Sequence, residues 1–439
     1  MPSISQMASP RAALSPAQAA VVEYARSARA NLFLTGPAGT GKTTVTRALL
    51  DQLPNAAVLA PTGVAAMQAG GQTLHSFFRL PPRLITPADI KRLRGARAIR
   101  ALSTLVIDEI SMVRADLMQG VDYALRLNRG IDAPFGGVQM IVVGDLAQLP
   151  PVVRGEEAGF LEGHFGGPFF FHAPAFREAG FVMAELSEIH RQSDPEFIDL
   201  LNAVREASLR SEHMRLLEDC VSGRNGLEAS ETHVVLSGTN AVANSINAKR
   251  LAELSGDTHA FTAKVEGEFD AKLFPTDEPL LLKRGARVML IRNDPAGRWV
   301  NGSLGVVEDA AGGRAEVRLD ATGETHTVEP QKWERIRYGV DADTNALKKE
   351  ATGGFTQLPL RLAWATTIHK AQGLTLDRVF IDVSRPLFAH GQAYVALSRA
   401  RSLEGLELSR PLRPQDIVID ERLFDVASFC DPAPPELQG

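Results

Sequence analysis

Gly36-Pro37-Ala38-Gly39-Thr40-Gly41-Lys42-Thr43 decides how this 439-residue sequence is read. Ahead of it, Asn31-Leu32-Phe33-Leu34-Thr35 has the composition of a short buried strand; behind it, Val45, Ala48 and Leu49 recur at helical spacing. Strand, glycine loop and helix form the setting in which such a loop grips phosphate. Glycines let the backbone curl, so that successive N–H groups point at the β- and γ-phosphates of a nucleotide. The helix N-terminus adds positive partial charge at the same place. Lys42 neutralises phosphate oxygens, and the Thr43 hydroxyl is suited to Mg²⁺. Gly36, Ala38, Gly39, Thr40, Gly41, Lys42, Thr43 and Thr44 are therefore expected to hold a nucleoside triphosphate. A glycine-rich turn without a ligand is the competing reading, and the flanking strand and helix disfavour it.

Outward from that loop, apolar strands alternate with helical stretches: Leu32–Leu34, Ala57–Ala60, Thr104–Ile107, Met140–Val143 and Val182–Leu186. The alternation predicts an α/β unit with a parallel sheet covered on both faces, and it places ligands at the loops after the strands' carboxyl ends. Leu105-Val106-Ile107-Asp108-Glu109 is one such end, where Asp108 is placed to hold Mg²⁺ and Glu109 to polarise water. A solvated strand end would carry the same pair, but a preceding phosphate loop favours the chemical reading. Gln148 follows the strand Ile141-Val142-Val143, and a neutral donor and acceptor there suits sensing of a γ-phosphate. Residue type alone favours a plain polar loop residue. Arg191 in Glu188-Ile189-His190-Arg191-Gln192 and Arg399 in Tyr394-Val395-Ala396-Leu397-Ser398-Arg399 reach a γ-phosphate if a second α/β unit faces the first. Otherwise each is an ordinary surface ion pair.

The pattern restarts near Leu186, with a strand at Val234-Val235-Leu236 and a helix over Ala243–Leu254. Between Gly285 and Tyr338, short alternating strands (Val288–Ile291, Gly305–Glu308, Ala315–Leu319, Thr325–Val328) predict a small antiparallel barrel inserted in the second unit. Residues 342–354 read as a polar loop, after which helical and parallel-strand texture returns at Ala363–Gln372 and Val379–Val383. Two cysteines, Cys220 and Cys430, give neither a disulfide framework nor metal-ligand spacing. No apolar run approaches a membrane span, and the first dozen residues lack the apolar core of a signal peptide, so they read as a loose tail. A cytoplasmic protein is expected. A net charge of −5 argues against coating duplex DNA electrostatically, but less against a single strand held by stacking and backbone amides.

Together these blocks resemble the superfamily 1B DNA helicases, and within the RecD-like branch the PIF-one (petite integration frequency) family. They occur in that family's order from about Leu14 to Arg401. Leu14-Ser15-Pro16-Ala17-Gln18 is similar to its adenine-reading block, with Gln18 the reader. Asp108-Glu109-Ile110-Ser111-Met112 matches its second motif. Asp116 to Arg129, leading to Pro134-Phe135-Gly136-Gly137, resembles the segment that sets the family apart. Thr366-Thr367-Ile368-His369-Lys370-Ala371-Gln372-Gly373-Leu374-Thr375 resembles the fifth motif, and Tyr394 to Arg399 the sixth.

The resemblance implies two RecA-like lobes with ATP and Mg²⁺ between them. Lobe 1A would cover 1–185, with a small, wedge-bearing 1B insertion at about 76–98. Lobe 2A would cover 186–432, with an SH3-like 2B subdomain at about 285–355. Lys42, Thr43, Asp108, Glu109 and Gln148 would come from the first lobe; Arg191, Gly373 and Arg399 would come from the second. A single DNA strand would cross both, meeting Pro61, Thr62, Gly63, Val64, His75 and Phe77, then Thr367, His369 and Lys370. Hydroxyls and amides suit phosphates, and His75 and Phe77 suit bases or sugars, with core packing the alternative role for Phe77.

The implied activity is ATP-driven 5′-to-3′ movement on single-stranded DNA with unwinding of forked or tailed duplex, by a monomer, in a bacterial-type, nucleoid-associated setting. The family's roles span DNA repair, recombination, replication and telomere maintenance. G-quadruplexes and RNA–DNA hybrids remain open as further partners. Larger members carry a long amino-terminal extension, a nuclease block or a relaxase domain. None is expected in these 439 residues, which puts targeting through such extensions in doubt. Two alternatives stand beside the helicase: a DNA-stimulated translocase that remodels protein–DNA complexes without processive unwinding, and a nucleotide switch that binds a partner through the barrel.

Overall fold

Period-two alternation along five apolar runs builds the first sheet and divides its core in two. The strands are β1 (Asn31–Thr35), β2 (Ala56–Ala60), β3 (Gln72–Thr73), β4 (Thr104–Ile107), β5 (Gln139–Val143) and β6 (Phe181–Glu185). With Cys430–Asp431 added at one edge, the order is Cys430–Asp431, β6, β1, β5, β4, β2, β3, and all pairs are parallel. Leu32, Leu34, Val106 and Ile141 face helices α1 (Pro16–Ser27) and α2 (Lys42–Gln52) through Val21, Val22, Val45 and Leu49. Phe33, Leu105, Ile107 and Val142 face the opposite way, toward the helix Ala115–Arg129 and a cluster of Phe135, Phe170, Phe176 and Phe181. All of the strands expected in this half are present. The computed structural model describes residues 14–437 apart from 193, 345 and 388, so the expected loose tail lies outside the described residues.

A second parallel sheet has the order Ala365–Thr367, Val234–Ser237, Val379–Ile381, Leu406–Leu408. The helix Asn240–Glu253 covers one face, and Pro195–Arg205 with Gln392–Leu397 covers the other. The stretch 363–372, read as helical texture, is instead a buried strand followed by a turn.

The antiparallel insert is larger than expected and, among the described residues, forms three sheets, the smallest pairing His259–Phe261 with Leu280–Leu282. Five strands pair in the order Thr325–Val328, Arg314–Leu319, Leu304–Ala311, Arg287–Leu290, Leu360–Leu362. Three more form a second sheet, Gln331–Val340, Leu347–Gln357 and Lys264–Gly267. Residues 342–354 are therefore no polar loop: most belong to Leu347–Gln357, an eleven-residue arm of a long hairpin. Its composition, LKKEATGGFTQ, hides the strand, because cross-strand pairing rather than burial holds it.

That hairpin reaches the first sheet. The Tyr338 hydroxyl accepts the Val58 N–H of β2 at 3.0 Å and its ring packs edge-on against Phe77. Asn55 accepts the Leu347 N–H at 3.1 Å, and Gln72 accepts the Tyr338 N–H at 3.3 Å. Residues 76–98 are tied down in turn: the Ile85 N–H donates to Asp116 at 2.7 Å, and the Leu93 N–H to Asn128 at 2.8 Å.

The chain's last described residues return to the first sheet: Leu423 and Val426 join its core, and Cys430–Asp431 pairs with β6. The polypeptide thus crosses between the sheets after β6 and returns near Glu421. Among the described residues no helix is long and apolar enough to cross a membrane.

Tyr338→Phe leaves the buried Val58 N–H without its acceptor. Removing one buried hydrogen-bond partner costs about 1–3 kcal/mol. We expect a lower urea midpoint and faster amide exchange along Gln331–Gln357; unchanged exchange there would show that the hydroxyl does not hold the hairpin down.

Candidate active site

The phosphate loop joins β1 to α2 and is crowded from both sides. Gly39 (φ +92°) and Gly41 (φ +81°) have backbone conformations that L side chains rarely adopt, and neither has room for a Cβ. At Gly39 a Cβ would stand 2.6 Å from the Arg191 Cβ; at Gly41 it would stand 2.3 Å from the Gln18 Nε2. Gln18 donates to the Thr40 carbonyl at 3.0 Å and accepts the Ser15 N–H at 3.1 Å. Expected to read adenine, it braces the loop in this structure.

Lys42 folds back on its own loop, donating to the carbonyls of Gly36 (2.7 Å) and Pro37 (2.9 Å). Burial lowers its pKa, while Asp145 and Glu109 oppose that shift. Among the described residues, the amides of Gly39, Thr40 and Gly41 donate to no protein acceptor. Open amides, a desolvated ammonium and a helix start make an anion cradle that fits a triphosphate.

Two strands along in the same sheet, β4 ends in Asp108 and Glu109. Glu109 adopts a left-handed conformation (φ +53°), and its N–H donates to the Asp108 carboxylate at 3.0 Å. Burial, reinforced by Asp108, raises the Glu109 carboxyl to about 7, and burial raises Asp108 as well. Two desolvated carboxyls side by side call for a cation. The Asp108 oxygens and the exposed Thr43 hydroxyl are a donor set of the type Mg²⁺ takes.

Gln148 is buried after β5, donating to Asp145 at 3.3 Å. Arg191 lies in the crossing after β6 and donates to the carbonyls of Ser398 and Gly373, each at 3.3 Å. Arg399 is wholly buried, donating to the carbonyls of Val395 (2.8 Å) and Leu374 (3.0 Å) and to the Ser398 Oγ (2.7 Å). Burial, then Arg191, brings its pKa down to about 9, against the pull of Tyr394, Glu109 and Asp145. Neither arginine is a surface ion pair. Both belong to the cleft that holds Lys42 and Glu109.

Four further residues complete the cleft without having been singled out from the sequence. Gln372 donates from Nε2 to Glu109 Oε2 and to Gln148 Oε1, both at 2.9 Å. The Tyr394 hydroxyl accepts the Ala38 N–H at 2.9 Å. Asp145, also buried, pairs with Arg205 at 3.4 Å. Gln372, Tyr394 and Asp145 stand inside motif-like blocks and were legible as neighbours of assigned residues; Arg205 ends an unremarkable helix and carries no such signal.

The expected strand contacts fall into two groups at strand carboxyl ends. Pro61 to Val64 come after β2, where Thr62 Oγ1 accepts the Ala65 N–H and Val64 is exposed. A Cβ on Gly63 would meet the Leu273 side chain at 2.2 Å, so the insert lies over this position. His75 is half-buried, and burial lowers its pKa. Phe77 is buried, its ring edge-on against Phe78 and Tyr338, which favours the core-packing role over contact with a base. On the second sheet His369 and Lys370 are exposed, whereas Thr367 is buried and accepts the Lys370 N–H at 3.3 Å.

Residues 13–162 match the family model described as PIF1-like helicase. An ATP-dependent DNA helicase Pif1 of Bdellovibrio bacteriovorus is 34% identical over 427 residues, 94% of this chain and 91% of the relative. The chain belongs to the PIF1 helicase family. The rat ATP-dependent DNA helicase PIF1 is 38% identical over 92% of this chain; the alignment spans 62% of that longer relative. Bacteroides sp Pif1 in complex with ADP-AlF4 is 37% identical, with a TM-score of 0.88 covering 95% of this chain and 97% of that one. The same Bacteroides protein bound to ssDNA gives a TM-score of 0.68 at 38% identity, again covering 95% and 97%.

Lys42→Ala removes the cradle's charged donor. One hydrogen bond to a charged group contributes about 1.5–3 kcal/mol, so triphosphate affinity in a calorimetric titration should fall about ten- to a hundredfold. Unchanged affinity would place the nucleotide elsewhere.

Proposed function

We propose that this protein is an ATP-dependent DNA helicase that moves 5′-to-3′ along single-stranded DNA and unwinds forked or tailed duplex. The observation that carries this reading is the composite cleft, in which Lys42, Glu109 and Gln148 of the first sheet meet Gln372 and Arg399 of the second. Family membership supports both the activity and the direction, and the strand-bound Bacteroides relative supports the DNA partner. We assign the two parallel sheets as RecA-like lobes and the five-stranded antiparallel sheet as the SH3-like 2B subdomain. Segment 76–98 corresponds to 1B.

Lys42 and the loop amides would hold the β- and γ-phosphates of ATP, with Gln18 keeping an amide hydrogen for adenine. Thr43 and Asp108 would hold Mg²⁺, which neutralises phosphate charge when bound. Glu109 would take the proton of the attacking water, and Gln148 would orient that water or the γ-phosphate. Arg191 and Arg399 would turn from carbonyl acceptors to the phosphoryl oxygens, an exchange that rewards closure of the cleft. Hydrolysis removes the ligand shared by both lobes and lets them separate. Alternating grip through Pro61–Val64 with His75, and through His369 and Lys370 beside Thr367, would turn that cycle into steps along the strand. A bacterial-type cytoplasmic, nucleoid-associated setting and a monomeric motor complete the assignment.

ATP hydrolysis should rise on adding single-stranded DNA, and duplex with a 5′ tail should be unwound while its 3′-tailed counterpart is not. Strand-stimulated hydrolysis without unwinding of either would favour the remodelling translocase. Arg399→Ala should keep nucleotide binding while turnover falls by about 10³. Turnover near that of the unsubstituted protein would exclude Arg399 from the reaction.

A further inference from the structure

The turn after the strand Ala365–Thr367 is wired to the ATP cleft through four consecutive residues. The Ala371 and Leu374 carbonyls accept from Arg399, at 3.5 and 3.0 Å. The Gly373 carbonyl accepts from Arg191 at 3.3 Å. Between them, the Gln372 side chain crosses to the other sheet and divides its amide between Glu109 and Gln148. The beginning of the same turn carries His369 and Lys370, both exposed, with the Lys370 N–H tied to Thr367. Strand-facing and phosphate-facing groups thus share one short piece of backbone.

The bonds of Gln372 fall on two atoms that hydrolysis needs free. Glu109 Oε2, occupied by an amide hydrogen, is a weaker acceptor for a water proton. Gln148 Oε1, occupied by the same amide, cannot orient a water or the γ-phosphate through that atom. We infer that Gln372 is a positioning residue that holds Glu109 and Gln148 in a non-hydrolysing arrangement until a DNA strand on His369 and Lys370 shifts the turn and withdraws the amide. This rests on the helicase reading and deepens it, giving the coupling between strand occupancy and turnover a single side chain. The overall conformation fits the strand-free role. This chain superimposes on Bacteroides Pif1 with ADP-AlF4 and on the unliganded form at TM-scores of 0.88 and 0.87, and on the ssDNA-bound form at 0.68.

Gln372→Ala and Gln372→Glu test the assignment. The second keeps size and shape while replacing the donor by an acceptor that repels Glu109, so it separates the hydrogen bonds from packing. In both, hydrolysis without DNA should rise, and the ratio of strand-stimulated to strand-free turnover should fall by about tenfold, the factor one hydrogen bond to a charged group contributes. KM for ATP and affinity for an oligothymidylate probe should stay as in the unsubstituted protein. An unchanged ratio in both variants overturns the inference alone, provided the unsubstituted protein is stimulated by DNA. A fall in the stimulated rate with strand-free turnover unchanged also overturns it, because Gln372 would then act in the strand-bound site. Absence of stimulation in the unsubstituted protein overturns the motor reading on which the inference rests.

Discussion

Charge buried between two sheets is the constraint on which this molecule is organised. Lys42, Arg191, Arg205 and Arg399 share one cleft with Asp108, Glu109 and Asp145, and burial is the first cause of the shifts at Lys42, Glu109 and Arg399. Desolvated ions are costly unless paired and hydrogen-bonded. Here the cost is offset by carbonyls: those of Gly36 and Pro37 for Lys42, those of Ser398 and Gly373 for Arg191, and those of Val395 and Leu374 for Arg399. Carbonyl dipoles neutralise only part of a full charge, so a multiply charged anion entering the cleft is the better partner for all three cations. The cleft is thus chemically suited to a triphosphate.

The architecture delivers those groups by a simple rule. In each parallel sheet the chemistry-bearing residues sit beyond the strands' carboxyl ends: the phosphate loop after β1, Asp108 and Glu109 after β4, Gln148 after β5, and His369 to Gly373 after Ala365–Thr367. Two crossings of the chain join the sheets, one after β6 and one near Glu421, and the second is anchored by pairing of Cys430–Asp431 with β6. The two parallel sheets are therefore doubly tethered. The insert adds a third constraint, because Tyr338 satisfies a backbone N–H of β2 and lies on Phe77. On the proposed path, a single strand beside Gly63 would have to compete with Leu273 and this docked hairpin.

Local pattern made most of the core readable. Period-two apolar runs announced the strands, glycine spacing announced the phosphate loop, and the Asp-Glu strand end announced the acid pair, because each is a property of a few neighbouring residues. The hairpin arm Leu347–Gln357 was not readable, since its order comes from ten cross-strand partners rather than from an apolar face. Phe77 was ambiguous for a similar reason: an aromatic side chain suits a base and a core equally, and Tyr338, more than 250 positions away, resolves it toward the core.

The proposed inventory of the reaction is thus read from amino-acid order alone: a phosphate grip, a carboxylate proposed for Mg²⁺, a proposed base and two arginines with matching family motifs. Their mutual distances, the capture of Glu109 and Gln148 by Gln372, the burial of Arg399 and the return of the C-terminal segment to the first sheet required the folded chain. Each of these joins residues from separate parts of the polypeptide, and the energies involved, desolvation and hydrogen bonding across a cleft, exist only once two surfaces have been brought together.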